Sequence, residues 1–175
     1  MKKIAVIFAD GMEEIEGITP VDILRRCDSV CVDVISACEE QIVGSHGIII
    51  NTEKLAKDVD FACYDGIIIP GGMPGATNIS KNSFVVNGLK FMEENQKLIC
   101  AICASPAVVL AKNGIKKGNK ITCYPANVFL DLLTGYEYTG ESVCVSENLI
   151  TANGPKSAME FSLAICKFLG LNPKF

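Results

Sequence analysis

A cysteine stands at a predicted junction between a strand and a helix within residues 97–114, which read "KLICAICASPAVVLAKNG". The apolar run that ends at Cys103 predicts a buried strand, and Pro106 suits the first helical turn, where its missing N–H is not needed. A nucleophile on such a sharp turn is lifted out of the sheet, provided that small residues flank it. The helix N-terminus should also favour thiolate over thiol. Cys103 is therefore a candidate nucleophile, the alternative being a small buried core residue.

Two adjacent glycines follow another predicted strand, in the segment "PGGMPGATN" at residues 70–78. Gly71 and Gly72 allow the backbone to approach a ligand closely, because they carry no side chain. Together with the Ala104 N–H, the Gly72 N–H could form an oxyanion hole beside the sulfur. A plain turn is the alternative interpretation of this short motif.

Three acids lie in "ADGMEEIEGITPVD", residues 9–22. Glu13 and Glu14 are expected in the first helical turn, where carboxylates are favoured. Glu16 could point back toward Cys103, and in an apolar site its pKa would rise, so that it would donate a hydrogen bond to the sulfur. Glu16 is therefore a candidate general acid/base.

The single histidine limits the possible reactions. His46 lies on the predicted hairpin "VGSHGII", upstream of Cys103. A Cys-His-acid triad of the glutamine-amidotransferase kind needs a histidine after the nucleophile, and none follows Cys103. Amide hydrolysis by such a triad is therefore not expected. His46 is expected at the surface, with a position in the crevice as the alternative.

Cysteine usage indicates a reducing compartment and predicts no metal site. Nine cysteines, an odd number, without a signal sequence are typical of a cytoplasmic protein. Cys100 and Cys103 form one C-x-x-C pair, but no second pair completes a zinc site. A thioredoxin-like pair remains an alternative, although Cys100 lies within a predicted strand rather than at a helix start.

Composition excludes several classes of protein. The 175-residue chain is 49% hydrophobic and 21% charged, which is typical of a globular protein. A net charge of -4 argues against nucleic-acid or membrane-surface partners. No apolar stretch reaches the roughly 18 residues that a membrane-spanning helix needs. The N-terminal apolar run at residues 4–9 is expected to form a strand, not a signal peptide.

Predicted strands alternate with predicted helices along the chain. Continuous apolar strands separated by helices indicate an α/β fold, a flavodoxin-like, doubly wound, mostly parallel sheet with helices on both faces, in one domain over residues 1–175. Strands are expected at 3–9, 30–37, 66–72, 98–102, 120–125 and within 142–153, a hairpin at 41–51, and helices at 18–27, 83–96, 105–114, 127–133 and 157–170. The ligand crevice of such a sheet lies at the carboxyl ends of its strands. Three unusual segments follow strand ends there and could converge, namely those that contain Glu16, Gly72 and Cys103.

The motifs together resemble the ThiJ/PfpI superfamily, in the branch of the human parkinsonism-associated protein deglycase and its bacterial ThiJ-like relatives. The blocks that match in order and spacing are "GMEEIEGITPVDILRR", "YDGIIIPGGMPGATN", "ICAICASPAVVLA" and "LITANGPKSAMEFSLAI". The resemblance implies a homodimer without a cofactor, and a protonated glutamate in contact with the cysteine of the turn. That pair maps onto Glu16 and Cys103.

The resemblance also implies further site residues. The oxyanion amides of the family fall on Gly72 and Ala104, next to Gly71. A loop that lines the pocket in the family matches Asn153, Gly154 and Pro155, which lie within the block "LITANGPKSAMEFSLAI".

Two departures from the family pattern bear on activity. Many relatives carry a histidine where this chain has Tyr124, and tyrosine, with a pKa near ~10, is a poor base at neutral pH. Relatives in this branch often carry a basic residue at position 46, and His46 could take the role of that residue here. The chain is also expected to lack the C-terminal helix of the longer human relative, since it stops at Phe175.

Two functions from different classes follow. In the first, Cys103 attacks glyoxal-type aldehydes or their adducts on glycated proteins, and Glu16 moves the proton. In the second, Cys103 is a redox sensor, or part of a chaperone, that is oxidised to a sulfinate without metabolic turnover.

Overall fold

The computed structural model describes residues 1–175 and contains eleven strands. In chain order these are β1 (Lys2–Phe8), β2 (Val30–Ser36), β3 (Gln41–Val43), β4 (Ile49–Asn51), β5 (Lys54–Leu55), β6 (Gly66–Ile69), β7 (Leu98–Ile102), β8 (Lys120–Ile121), β9 (Glu137–Tyr138), β10 (Val143–Ser146) and β11 (Leu149–Ala152). Seven of them form the central sheet in the order β10-β11-β7-β6-β1-β2-β5. Only β10 is antiparallel to its neighbour. The five longer parallel strands follow the order of the flavodoxin-like fold, as the sequence predicted.

Helices cover both faces of this sheet. They are α1 (Glu14–Arg25), α2 (Gly75–Lys81), α3 (Ser83–Glu94), α4 (Asn127–Leu130) and α5 (Ala158–Leu169). A π-helical turn (Pro106–Leu110) runs into a 3₁₀ turn (Ala111–Asn113), and further 3₁₀ turns lie at Ala56–Asp58, Phe61–Cys63 and Pro155–Ser157. None of the helices is long and apolar enough to span a bilayer.

Alternate side chains of each central strand enter two separate cores. Ile4, Val6 and Phe8 of β1 belong to the core beneath α1 and α5, whereas Ala5 and Ile7 belong to the core beneath α2 and α3. Each core contains 22 buried residues. Strands that are buried on both faces must be apolar at nearly every position, which is why their sequences show continuous apolar runs.

The structure differs from the predicted elements in four places. Helix α1 begins at Glu14 rather than at residue 18, because Glu13 caps it, and α2 was not predicted. The predicted strand at 120–125 is reduced to β8, which pairs with β9 outside the main sheet. The helix predicted at 105–114 is π-helical and then 3₁₀, although it ends at the predicted Gly114, whose φ is 69°.

Candidate active site

Cys103 occupies a strained turn directly after β7. Its φ of 62° is unusual for a residue with a side chain. Hydrogen bonds hold the backbone in this conformation, because the Cys103 N–H donates to Ala152 O and its carbonyl accepts from Tyr124 N, both at 2.8 Å. This turn puts the half-buried thiol at the carboxyl edge of the sheet, where the sequence predicted it.

A buried hydroxyl ties this turn to the glycine segment that follows β6. Ser105 is completely buried, and its Oγ donates a hydrogen bond of 2.6 Å to the Pro70 carbonyl. The sequence pattern required only that the residues flanking Cys103 be small, and it did not indicate this contact. A serine directly after a nucleophile turn is the signal that could have indicated it. The bond fixes the distance between the Cys103 turn and Gly71–Gly72.

Two backbone amides are directed at the sulfur. The N–H groups of Gly72 and Ala104 lie close enough to the Cys103 thiol to lower its pKa. Gly72 has a φ of +84°, and a side chain there would overlap the backbone of Glu13 and Met12. The two amides therefore lie together beside Cys103, where the sequence suggested an oxyanion hole.

Glu16 lies beneath the sulfur and is entirely buried. Its Oε2 accepts a hydrogen bond of 2.9 Å from Gly71 N. Its carboxyl group lies next to the Cys103 side chain, and its Oε1 has no hydrogen-bond partner. Gly71 therefore orients the acid, while Gly72 and Ala104 contact the sulfur.

The start of α1 holds Glu16 in this position. Glu13 is the N-cap, and its Oε2 accepts from Glu16 N at 2.9 Å. The Glu13 N–H in turn donates to the Gly71 carbonyl at 3.1 Å. Glu13 and Gly71 thus fix the helix and the glycine segment against each other, with Glu16 between them.

Burial sets the protonation of the acid and the thiol. It raises the pKa of Glu16 to about 7, and the charge of Glu13 adds to the effect, while the contacts with Cys103 and Gly71 oppose it. The pKa of Cys103 is raised to about 12. Burial is the largest cause, and the charge of Glu16 and its interaction with the thiol add to it. The Gly72 and Ala104 amides lower the pKa of Cys103, in the direction that the sequence predicted, but burial and Glu16 outweigh them.

With these pKa values the thiol keeps its proton at neutral pH, while Glu16 is divided between its ionised and protonated forms. While Glu16 is ionised, its charge disfavours the thiolate. A protonated Glu16 removes that charge and can donate a hydrogen bond to the sulfur. The effect of the helix N-terminus that the sequence predicted is therefore outweighed at this site, and the sulfur ionises more readily when Glu16 holds a proton.

His46 lies on the loop between β3 and β4 and contacts the other acid of this helix. Its Nδ1 is 2.8 Å from Glu14 Oε2 and its N–H donates to Glu14 Oε1 at 2.7 Å. Its side chain is 70% exposed, as expected for a hairpin residue. Burial raises the pKa of Glu14, but the hydrogen bonds from His46 prevail and lower it to about 2. The Glu14 hydrogen bond raises the pKa of His46.

Glu13, Glu14 and His46 also place one possible metal-ligand atom each within 4.8 Å of one another. The sequence predicted no metal site, and the spacing of these residues along the chain did not indicate the cluster. A divalent cation would have to displace the proton that joins Glu14 and His46.

An open pocket lies beyond the end of β11, beside Tyr124, and Cys103 is not among its lining residues. Its volume is about 460 Å³, within the range of small-molecule sites. It is lined by Tyr124, Pro125, Asn153, Gly154, Pro155 and Lys156. The predicted residues of the "NGP" loop are thus placed together with Tyr124, whose backbone N–H donates to the Cys103 carbonyl.

Within this pocket the Tyr124 ring is 44% exposed and stacks edge-to-face on Phe129, with ring centroids 6.3 Å apart. A Cβ on Gly154 would lie 3.4 Å from that ring. Asn153 Oδ1 accepts from Ser157 Oγ at 2.7 Å. These contacts hold the loop close to the tyrosine.

The alternative dithiol pair is not assembled at the site. Cys100 is completely buried within β7, and burial raises its pKa well above the ordinary value. A redox C-x-x-C motif needs an accessible thiol at a helix start, and Cys100 offers neither feature. All nine cysteines are free.

Comparison with known proteins gives a consistent assignment. The sequence model of the DJ-1/PfpI family matches residues 2–168. The chain is 37% identical to Protein DJ-1 homolog B of Arabidopsis thaliana over 96% of its own length and 38% of that protein. It spans 43% of the Arabidopsis homolog A, so it covers less than half of each of these two relatives.

Other relatives match over most of their length. Glutathione-independent glyoxalase DJR-1.2 of Caenorhabditis elegans is 35% identical over 91% of this chain and 84% of that protein. The solved structure of oxidized Toxoplasma gondii DJ-1 superposes with a TM-score of 0.90 and 38% identity, covering 97% of this chain and 91% of that one. The agreement of sequence, fold and strand-to-helix cysteine places this chain in the DJ-1/PfpI family.

Proposed function

We propose that this protein is a cysteine-dependent glyoxalase that converts glyoxal-class aldehydes, free or as adducts on glycated proteins, into hydroxy acids. The observation that carries the proposal is the buried contact between Glu16 and the Cys103 thiol, with two amides aimed at the sulfur. The naming of one relative as a glutathione-independent glyoxalase supports it.

The first step is addition of sulfur to the aldehyde carbon. Glu16 holds the proton while Cys103 reacts as thiolate, and the C–S bond forms as the carbonyl π electrons move to oxygen. The amides of Gly72 and Ala104 are placed to stabilise that oxygen. The product is a hemithioacetal on Cys103.

The second step moves a proton between neighbouring carbons. Glu16, with a pKa of about 7, is matched to both acid and base roles near neutral pH. It removes the proton from the carbon that carries sulfur and returns one to the adjacent carbonyl carbon, which yields a thioester without an external oxidant. Water then cleaves the thioester, releasing the hydroxy acid and the thiol.

Methylglyoxal consumption with a lactate assay tests this function. We expect that Cys103→Ala abolishes turnover and that Glu16→Gln, which keeps the size of the side chain, reduces kcat at least about 100-fold, in the range of general acid–base contributions. Cys63→Ala is the control, since Cys63 is an exposed free thiol. Retained lactate formation by Cys103→Ala would refute the proposal.

A second candidate function is peroxide sensing by Cys103. The unpartnered Oε1 of Glu16 favours it, because a protonated Oε1 could donate to an oxygen added to the sulfur. The solved structure of Toxoplasma gondii DJ-1 is that of an oxidized form, which is in keeping with this chemistry in that relative. Mass spectrometry after mild peroxide should then find two oxygens on Cys103 alone, whereas indiscriminate oxidation of several cysteines would contradict it.

A homodimer in the cytoplasm completes the proposal. Exposed apolar side chains lie on α1 and on the adjoining β3–β4 hairpin, and burying them against a second copy would stabilise a dimer; they are Ile15, Ile18, Val43, Ile48 and Ile49. Light scattering should report twice the 18.8 kDa of one chain, and Ile15→Glu with Ile18→Glu should halve it. A monomeric wild type would contradict this. Nine free cysteines favour a reducing compartment.

A further inference from the structure

Two thiols meet inside the core at the end of the sheet opposite to Cys103. Cys27 follows the last turn of α1, and Cys166 lies near the end of α5; both are buried in the same core. The two helices pack against each other, and the chain end joins them, because the Leu171 N–H donates to Cys166 O at 2.8 Å and the Lys174 N–H to Arg26 O at 3.2 Å. The Cys27 thiol lies close enough to Cys166 to raise its pKa. Because helices that connect parallel strands run back across the sheet, their C-terminal ends lie at its amino edge, away from the site.

We propose that Cys27 and Cys166 are a redox modification site, at which hydroperoxides convert the two thiols into a reversible disulfide that joins α1 to α5. This inference is independent of the activity of Cys103. The two thiols lie at the packed ends of α1 and α5, and a surface cavity gives the oxidant access to one of them.

A surface cavity supplies the route. Cys166 lines a cavity of about 350 Å³ together with Leu163, Lys167 and the segment 170–173. Hydrogen peroxide is scarcely larger than water, so it can enter such an opening. The other cysteine of the pair then lies directly behind the one that the peroxide meets.

Cys27 stands at the end of α1, beyond the C-cap residue Arg26. Its N–H donates to Leu24 O at 3.0 Å, and its Sγ contacts Ile23 O at 3.8 Å. Formation of the disulfide therefore requires a side-chain rotation at this helix end that gives up the weak contact to Ile23 O.

The chemistry balances with a hydroperoxide as the only oxidant. The sulfur of one cysteine attacks the peroxide oxygen, the O–O bond breaks, and the products are a sulfenic acid and water. The second thiol attacks that sulfur, an S–S bond forms, and the hydroxyl leaves as a second water. Two thiols lose two electrons and the peroxide gains them. Dithiothreitol reverses the reaction by thiol–disulfide exchange.

The local electrostatics make this reaction slow. Burial and the neighbouring Cys27 raise the pKa of Cys166 to about 12, so little thiolate is present at neutral pH. The disulfide should therefore accumulate during sustained exposure and not within one catalytic cycle. Once formed, it joins residues far apart in the chain, which constrains the unfolded state and stabilises the fold.

Peptide mapping tests the site in the full-length protein. Wild type and Cys103→Ala are incubated with hydrogen peroxide at pH 8.5, alkylated and digested with Asp-N and Lys-C without reductant. Cleavage before Asp and after Lys places Cys27 alone in residues 22–27 and Cys166 alone in residues 157–167, separate from Cys31 and Cys38. We expect these two peptides to be linked in both proteins, and the link to disappear with dithiothreitol.

Melting temperature provides the second readout. Oxidised Cys103→Ala should melt about 5–10 °C above its reduced form. This rise should be absent in Cys103→Ala combined with either Cys27→Ala or Cys166→Ala, and each of the two single variants should keep its methylglyoxal turnover under reducing conditions.

Three results would overturn the inference. The first is the absence of the linked peptide at peroxide levels that oxidise the exposed Cys63. The second is a link between Cys31 and Cys63 instead, since both lie close enough to Tyr64 to raise its pKa. The third is a rise in melting temperature that persists without Cys166.

Discussion

Gly71 and Glu16 form the contact on which the geometry of the site depends, since the Gly71 N–H donates to Glu16 Oε2 at 2.9 Å. A Cβ on Gly71 would lie 2.6 Å from both Glu16 Oε2 and the Cys103 Cβ. No side chain fits between the acid and the thiol. The glycine therefore keeps these two groups in contact as well as orienting the carboxyl.

Gly71→Ala should consequently reduce the activity strongly and the stability of the fold much less. The added methyl must separate Glu16 from Cys103, and a displacement of about 1 Å costs roughly 100-fold in rate. We expect kcat for methylglyoxal to fall at least about 100-fold. Gly118→Ala is the control, because Gly118 has a φ of +95° but open space around its Cβ position. It should lose stability and keep its kcat, and equal activity of the two variants would contradict the crowding argument.

The raised pKa of Glu16 predicts how stability depends on pH. Because the pKa rises from 4.5 to about 7 on folding, this group favours the folded state most below pH 4.5, and the contribution is lost as pH rises through 7. Glu16→Gln cannot ionise, so it should gain stability relative to wild type over this window, by up to about 3 kcal/mol. Urea denaturation at pH 4.5, 6 and 8 measures the difference. A difference that does not change with pH would show that Glu16 is not destabilised by ionisation.

The buried hydroxyl of Ser105 predicts a separate effect on the turn. Ser105→Ala removes the 2.6 Å bond to Pro70 O and leaves that carbonyl without its donor, which should cost about 1–3 kcal/mol of unfolding free energy. We also expect kcat to fall, because Cys103 and the glycine segment are no longer tied together.

Ser162→Ala is the matched control for Ser105→Ala. Ser162 is equally buried, but its Oγ donates to Ala158 O within α5, far along the chain from the turn. Its loss should leave kcat unchanged. An unchanged kcat in Ser105→Ala as well would mean that the tie does not position the nucleophile.

Tyr124 predicts a gain of activity. The Tyr124 ring lines the pocket. The backbone N–H of Tyr124 donates to the carbonyl of Cys103 and so holds the strained turn. Since the backbone bond does not depend on the side chain, Tyr124→His should keep the turn and add a base with a pKa near neutrality. We expect kcat/KM to rise about 10-fold at pH 7.5, whereas Tyr124→Phe should change it less than about 3-fold. A loss of activity in Tyr124→His would assign the ring itself a binding role.

Local sequence determined the parallel, doubly wound class of the sheet and the place of the nucleophile. Apolar runs such as β7 and the small residues around Cys103 have few structural solutions, because a strand buried on both faces must be apolar and a sharp turn excludes large neighbours. Helix α2 escaped prediction, since its sequence "GATNISK" has no strong helical periodicity and is stabilised by packing against the core.

Sequence alone thus determined that Cys103 would stand at the carboxyl edge of a parallel sheet, and that Glu16 and the paired glycines would follow neighbouring strands. Only the tertiary structure decided the protonation of the pair, the Ser105–Pro70 tie and the meeting of Cys27 with Cys166. The reason is physical: pKa values depend on burial and on charges that arrive from distant parts of the chain, and contacts between remote side chains exist only after the helices have packed.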